Sequence, residues 1–175
     1  MSESPDHPQI AAPPSLTDLG EPLVRVEMRS QPRLLAGTRE LVGAIAKRLG
    51  FSELEAGQIG LALDEALANV IRHGYKGRDD GLIMVSLWVS EGDGSTVGAG
   101  LHLCVEDQCP QVDPSKIRSR ELSEVRPGGL GVHLIQEIMD ASVFEKREQS
   151  GMRLRMSKFI PHNAGTMTGS VRHAG

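Results

Sequence analysis

The chain has 175 residues, of which 39% are hydrophobic and 24% charged, and its formal net charge is −4. The absence of a basic excess and an aromatic content of only 3% disfavour nucleic-acid binding by phosphate neutralisation or base stacking. No apolar run approaches the roughly 20 residues that a membrane-spanning helix needs, and the N-terminus lacks the features of a secretion signal. We therefore expect a cytoplasmic protein with no direct nucleic-acid partner and no membrane partner.

The N-terminal stretch Met1–Glu21 is rich in Pro, Ser and Asp, a composition that predicts a disordered arm. Alternation of charged and apolar side chains predicts a first strand over Leu23–Arg29. Pro32 suits a helix N-terminus, and the helix after it is expected to end at Gly50. The apolar stripe expected on this helix consists of Leu34, Leu35, Leu41, Val42, Ile45 and Leu49.

A second helix is predicted to begin at a capping box formed by Ser52 and Glu55. Glu65 and Asn69 stand four residues apart on one side of this helix. The helix is expected to stop near Gly74, because glycine is preferred just past a helix end. Such polar residues usually form a solvated face, but beside an apolar stripe they can also hold a metal or a nucleotide. That stripe consists of Ile59, Leu63, Leu67 and Val70.

The remaining elements are two hairpins separated by a long loop and a short helix. The first hairpin pairs Gly81–Ser90 with a half-buried return strand, Leu101–Glu106. The loop over residues 107–127 lacks periodicity, and a loop of this length in a compact domain usually has a function. An amphipathic helix over residues 130–139 precedes the second hairpin, Ala141–Arg147 and Gly151–Ile160. The tail Pro161–Gly175 is predicted to be disordered.

This order of elements predicts an α+β fold, a two-layer sandwich with a mixed, mostly antiparallel sheet and helices packed on one face. The domain is expected to span residues 22–160. Met84, Trp88 and Cys104 are expected on the sheet face away from the helices, where three apolar residues together suggest a dimer or partner surface. Cys104 and Cys109 are the only cysteines. Since no companion pair could complete a zinc site, we expect two reduced thiols.

Three segments resemble the nucleotide-binding boxes of the GHKL ATPase superfamily, whose fold is known as the Bergerat fold. They are DEALANVIRHGY (Asp64–Tyr75), VEDQCPQVDP (Val105–Pro114) and GGLGVHLIQEIMD (Gly128–Asp140). Within that superfamily, the chain looks most like the small anti-sigma-factor serine kinases of bacterial partner-switching systems. The resemblance covers residues 22–160 and implies ATP and Mg²⁺ as ligands.

By this resemblance, Glu65 is the general base that accepts the proton of the attacking hydroxyl group. Asn69 holds the Mg²⁺ that bridges the nucleotide phosphates, because an amide oxygen suits a hard cation that keeps several waters. Asp107 accepts a hydrogen bond from the amino group of adenine and thereby selects that base. Without the resemblance, Asp107 would be taken as a turn residue at a strand end.

The third box is expected to bind the phosphates through the start of its helix. Glycines let a backbone approach phosphates closely, and a helix N-terminus presents free N–H groups to them. The residues concerned are Gly129, Leu130 and Gly131. Arg126 belongs to the segment that corresponds to the mobile ATP lid of the family. It is either a charge clamp on the terminal phosphate or a solvated lid residue.

The chain departs from the family at Cys109, where the second box usually has glycine. Cysteine fits there only if the backbone avoids a positive φ or tolerates the strain. Two hypotheses follow. In the first, the protein is a serine kinase that phosphorylates a small anti-sigma-factor antagonist, sequesters a sigma factor and forms a homodimer. In the second, it is a binding module that has lost ATP turnover and regulates its partner by contact. The catalytic half of a histidine kinase is disfavoured, because the N-terminal arm is too short and polar for a phospho-acceptor helix pair.

Overall fold

The computed structural model describes residues 12–91, 99–117 and 130–160. Its helices are α1 (Leu16–Leu19), α2 (Leu35–Arg48), α3 (Glu53–Asn69) and α4 (Leu130–Ile138). Its strands are β1 (Val24–Arg29), β2 (Leu82–Ser90), β3 (Gly100–Glu106), β4 (Ala141–Lys146) and β5 (Met152–Phe159). Short 3₁₀ turns cover Pro32–Leu34 and Pro114–Lys116, and a π-helical turn covers Val70–Gly74. No helix in these ranges is long and apolar enough to cross a membrane.

The strands form one sheet in the order β1-β2-β3-β5-β4, and every pairing between described strands is antiparallel. The inner face of the sheet and the helices share one hydrophobic core. The predicted two-layer α+β fold is confirmed, although these strands form an antiparallel sheet rather than a mixed one. One apolar row crosses all five strands on the inner face: Val26, Val85, Val105, Leu154 and Phe144.

Helix α3 is the central element of the helical layer, in contact with both α2 and α4. It begins at the predicted capping box, in which the Ser52 hydroxyl accepts from the Glu55 N–H and the Glu55 carboxylate accepts from the Ser52 N–H. Ile59, Leu63 and Leu67 are completely buried. The predicted apolar stripe therefore faces the sheet as expected.

Helix α3 does not end at a glycine cap as predicted. The α-helix ends at Asn69 and continues as the π-helical turn, in which the Tyr75 N–H donates to the Val70 carbonyl at 2.8 Å. The chain enters the left-handed region only later, at Lys76 (φ 54°) and Gly77 (φ 80°). Gly74 is therefore not a left-handed cap residue, and its role lies in close packing at the site described below.

On α2, the predicted apolar stripe is wrong at two positions. Leu34 and Leu41 are 37% and 39% exposed. The buried residues of α2 are Thr38, Val42 and Ala46, which follow one another every four residues. Leu41 lies at the side of this buried face, and Leu34 lies in the 3₁₀ turn before α2. The stripe predicted from helical spacing is therefore too broad.

Strand β3 is buried on both faces, whereas the sequence predicts a half-buried strand. His102 and Cys104 point away from the helices, yet they are only 3% and 1% exposed. Two features explain this difference. β3 is the central strand of the sheet, and the face away from the helices is itself partly covered.

Part of that cover is the N-terminal segment 12–20. The Trp88 indole N–H donates to the Gly20 carbonyl at 2.9 Å, and Arg155 Nη1 donates to the Pro13 carbonyl at 2.9 Å. The prediction of disorder over Met1–Glu21 is therefore wrong for residues 12–21, and residues 1–11 lie outside the described ranges. Trp88 is 5% exposed, so it does not form the free apolar surface expected with Met84 and Cys104.

A buried polar cluster surrounds His102 on this outer face. Its ring nitrogens lie 2.7 Å from the Ser157 hydroxyl and 2.9 Å from the Ser90 hydroxyl. The Phe159 ring packs edge-on against the imidazole at 5.8 Å between centroids. Burial disfavours the imidazolium and lowers the pKa of His102 below its ordinary value.

The lowered pKa of His102 predicts a loss of stability in mild acid. As pH falls through the ordinary imidazole range, the unfolded chain binds a proton that the folded chain does not, so the free energy of unfolding decreases until the folded-state pKa is reached. Urea unfolding from pH 8 to pH 5 should show a smaller decrease for His102→Gln than for the wild type. Identical pH dependence of the two proteins would contradict this assignment.

The cover over Trp88 predicts a spectroscopic response. The chain contains a single tryptophan, so its fluorescence reports this position alone. Removal of residues 1–20 should red-shift the emission of Trp88 and increase its quenching by iodide, because water then reaches the indole. An unchanged spectrum in a truncated protein with native circular dichroism would show that the segment does not cover Trp88.

Candidate functional site

The first and third boxes meet where α4 begins beside α3. Glu65 and Asn69 are half-buried on the side of α3 that faces α4. A Cβ atom at Gly131 would lie 2.6 Å from Glu65 Oε2 and 3.2 Å from Asn69 Nδ2. Only glycine therefore fits at this position without displacing a polar side chain. The free N–H groups at the start of α4 are consequently adjacent to one carboxylate and one amide.

The second box places Asp107 immediately after β3. Its side chain is 5% exposed, and Oδ1 accepts two backbone hydrogen bonds, from Cys109 N at 2.8 Å and from Met152 N at 3.0 Å. Its carbonyl accepts from Arg147 Nη1 at 2.7 Å. A buried carboxylate needs such donors, and they fix its orientation.

Cys109 is accommodated without backbone strain. In the described part of the chain, Lys76 is the one non-glycine residue with positive φ, so Cys109 adopts a backbone conformation that any residue can take. Its side chain is 3% exposed and packs on Gly74, where an added Cβ would lie 2.5 Å from the Cys109 sulfur. The backbone at Cys109 therefore avoids a positive φ, as the sequence analysis requires for a cysteine at this position.

Tyr75 connects the first box to the second. Its hydroxyl donates to the Leu82 carbonyl at 2.6 Å and accepts from the Gln108 N–H at 3.0 Å. Burial raises the pKa of this phenol above its ordinary value, so it remains a neutral donor. The end of the first box is thus bonded both to the start of β2 and to the loop that carries Asp107.

The structure brings together most of the residues predicted from the sequence. Glu65, Asn69 and Gly131 are in contact range of one another, and Leu130 is the 63% exposed first residue of α4. Asp107 and Cys109 form the adjoining group. Arg126 and Gly129 lie outside the described residues.

Several residues that shape the site were not predicted to do so. Gly74 was expected as a helix cap, and no local pattern distinguishes a glycine needed for close packing. Met152 and Arg147 bond to Asp107 across separations of 45 and 40 residues, and nothing near either residue indicates this contact. The aromatic residue in the sequence HGY was the one available signal, because a buried tyrosine usually has a hydroxyl partner.

The family model for the histidine kinase-like ATPase domain matches residues 28–158. The chain belongs to this family. The match includes all three boxes, strands β2, β3 and β4, all of β5 except Phe159, and the last two residues of β1. The predicted resemblance is therefore confirmed.

Several curated bacterial relatives share the name serine-protein kinase RsbW. The chain is 27% identical over 141 residues to the protein of Bacillus pumilus, which covers 79% of this chain and 86% of the relative. It is 28% identical over 152 residues to that of Halalkalibacterium halodurans, with coverage of 78% and 83%. A Listeria monocytogenes relative is 27% identical over 139 residues, with coverage of 78% and 87%.

A solved structure supports the fold. The chain superposes on a crystal structure of the RsbU and RsbW domains of a Mycobacterium tuberculosis protein with a TM-score of 0.53 and 15% identity. The match covers 79% of this chain and 33% of that longer one. At this identity the similarity is a statement about architecture.

The burial of both cysteines predicts low thiol reactivity. Burial raises the pKa of Cys104 and of Cys109 to about 12, and the thiolate is the reactive form. A disulfide reagent at pH 8 should therefore label the folded protein at least about a hundredfold more slowly than the same protein in guanidinium chloride. Rapid labelling of the folded Cys104→Ala protein would contradict the buried position of Cys109.

Proposed function

We propose that this protein is an ATP-dependent serine-protein kinase that phosphorylates a small anti-sigma-factor antagonist and sequesters a sigma factor. One observation carries the proposal: Gly131, the second residue of α4, packs directly against Glu65 and Asn69. A proton acceptor, a metal-binding amide and the N–H groups of a helix start are thereby gathered at one place. Membership of the ATPase family and the names of the relatives support the same reaction.

Glu65 is assigned as the general base. Its half-buried carboxylate lies beside the start of α4, where the phosphate end of a nucleotide would be held. Glu65 takes the proton of the acceptor serine while the serine oxygen forms a bond to the γ-phosphorus. The bond from that phosphorus to the β,γ-bridging oxygen breaks, and ADP leaves.

Asn69 is assigned as the protein ligand of Mg²⁺. A side-chain oxygen at the edge of a close-packed glycine fits a cation that is bound by one or two protein groups together with water and substrate phosphates. When bound, Mg²⁺ supplies neutralisation of the phosphate charge. Asn69 positions the phosphates with respect to Glu65, which lies one helical turn away.

The remaining assignments concern the nucleotide. Asp107 is assigned as the acceptor for the amino group of adenine, and its two backbone donors both bond to Oδ1. Leu130 and Gly131 are assigned to bind the phosphates through their backbone N–H groups at the start of α4. The same role for Gly129, outside the described residues, stays a prediction from the sequence. Arg126, which lies outside the described residues, stays a prediction from the sequence, either as a charge clamp on the terminal phosphate or as a solvated lid residue. Cys109 lines the adenine side of the site.

The partners follow from the same reaction. The acceptor serine belongs to a small antagonist protein, and the sequestered partner is a sigma factor in the cytoplasm. A homodimer is also part of the proposal. Residues 12–20 cover the outer sheet face around Trp88, so a second copy of the chain finds no uncovered surface there.

Variants at Glu65 and Asn69 test the mechanism. Glu65→Gln should bind ATP with an affinity within about threefold of the wild type, yet transfer phosphate to an antagonist at least about a hundredfold more slowly, because it lacks the base. Asn69→Ala should instead weaken ATP binding in the presence of Mg²⁺ and have little effect without it. Calorimetric titration with ATP and a single-turnover transfer assay measure the two effects. Gly57→Ala is the matched control, since nothing lies within 4 Å of the added methyl group.

Phosphate transfer by Glu65→Gln at the wild-type rate would refute the assignment of Glu65 as the general base. If the wild-type protein bound no ATP at millimolar concentrations, the kinase proposal would fail, and the regulator that acts by contact alone would replace it.

A further inference from the structure

We infer that Gly74, Tyr75 and Cys109 are positioning residues that hold the Asp107 carboxylate in the direction needed to bind adenine. Cys109 stands where the family has glycine, and its side chain fits because Gly74 has none. This inference rests on the proposed nucleotide site. It assigns a role in nucleotide selectivity to three residues that do not themselves contact the adenine amino group.

The steric basis is the close approach of two residues from different boxes. A Cβ atom at Gly74 would lie 2.5 Å from the Cys109 sulfur and 3.3 Å from the Cys109 Cβ. The first distance is far shorter than a van der Waals contact, so any larger residue at position 74 displaces Cys109. Cys109 is 3% exposed, and it therefore has little free space into which to move.

The same loop is held from a second direction by Tyr75. Its hydroxyl accepts from the Gln108 N–H at 3.0 Å while it donates to the Leu82 carbonyl at 2.6 Å. Gln108 lies between Asp107 and Cys109, so the loop is fixed at two successive residues. The residues that fix them, Gly74 and Tyr75, are the last residue of the π-helical turn and the residue directly after it.

A backbone hydrogen bond links the position of Cys109 to the direction of the Asp107 carboxylate. The Cys109 N–H donates to Asp107 Oδ1 at 2.8 Å and supplies one of the two backbone donors of that oxygen. A shift of Cys109 lengthens this bond and rotates the carboxylate. Because the discrimination of adenine from guanine depends on the direction of that carboxylate, such a shift lowers selectivity more than it lowers the affinity for phosphates.

The π-helical turn gives the contact a second consequence. Gly74 ends that turn, and the turn follows directly on Asn69. The Gly74–Cys109 contact therefore sets the distance between the residue assigned to Mg²⁺ and the residue assigned to adenine. In the family pattern with glycine at the position of Cys109, this contact would be absent.

A double-mutant cycle tests the inference. The affinities for ATP and GTP are measured by competition against a fluorescent ATP analogue for the wild type, Gly74→Ala, Cys109→Ala and the double variant. We expect Gly74→Ala to reduce the preference for ATP over GTP by about tenfold, which is within the range of coupling between residues in contact. Cys109→Ala removes the obstructing sulfur, so the addition of Gly74→Ala to that variant should change its preference for ATP by no more than about threefold.

Two further variants separate positioning from general destabilisation. Gly57→Ala adds the same methyl group to α3 in open space and should leave the selectivity unchanged. Tyr75→Phe keeps the ring but loses both hydrogen bonds of the hydroxyl, and it should lower the ATP preference in a protein that remains folded. Unfolding in urea is measured for every variant, and equal losses of ATP and GTP affinity in Gly74→Ala would overturn the inference.

The outcome for the wild type distinguishes this inference from the proposed function. If the wild type binds ATP but Gly74→Ala and Tyr75→Phe both retain its selectivity, the kinase proposal stands and the positioning role is refuted. If the wild type binds neither nucleotide, the proposed function fails and the selectivity role falls with it. In that case the steric contact is tested by the free energies of unfolding in urea alone. Additive effects of Gly74→Ala and Cys109→Ala on that free energy would refute the contact as well.

Discussion

The positions of the site residues depend on how helix α3 is held, and three different sides of this helix make contacts. One side carries Ile59, Leu63 and Leu67, whose complete burial against the sheet fixes the rotation of the helix. A second side carries Asp64, which pairs with Arg39 of α2 at 2.6 Å. The third side turns Glu65 and Asn69 toward α4. Because hydrophobic burial is the largest of these contributions, the apolar side determines where the polar residues point.

Asp107 illustrates how a buried carboxylate is held in this fold. Burial of a charge costs free energy unless hydrogen bonds replace water, and here two backbone N–H groups do so. One donor comes from β5 and the other from Cys109, so the carboxylate depends on both the sheet and the loop. The loop in turn depends on Gly74 and on the Tyr75 hydroxyl. A departure at one position of the family pattern is thus absorbed by a glycine in another box.

The outer face of the sheet is more polar and more enclosed than an ordinary solvated face. Arg155 bonds to Glu145 and also to the carbonyl of Pro13, while His102 bonds to two serine hydroxyls. Polar groups that are buried with satisfied partners make a surface specific for the segment that covers it. Residues 12–20 therefore belong to the folded domain, and a partner that used the area around Trp88 would have to displace them.

Periodicity and local motifs predicted most of the fold and the candidate site. The capping box at Ser52, the stripe on α3 and the alternation in β2 depend on residues that are near neighbours in the chain, so they are legible in the sequence. The three boxes were recognised by their resemblance to a known family, each from a continuous stretch of sequence. Contacts between distant segments could not be predicted. Trp88 meets Gly20 across 68 residues, and Gln108 meets Tyr75 across 33. Burial of both faces of β3 and the close packing at Gly74 arise only when the sheet and helices assemble, because both depend on what lies opposite in space.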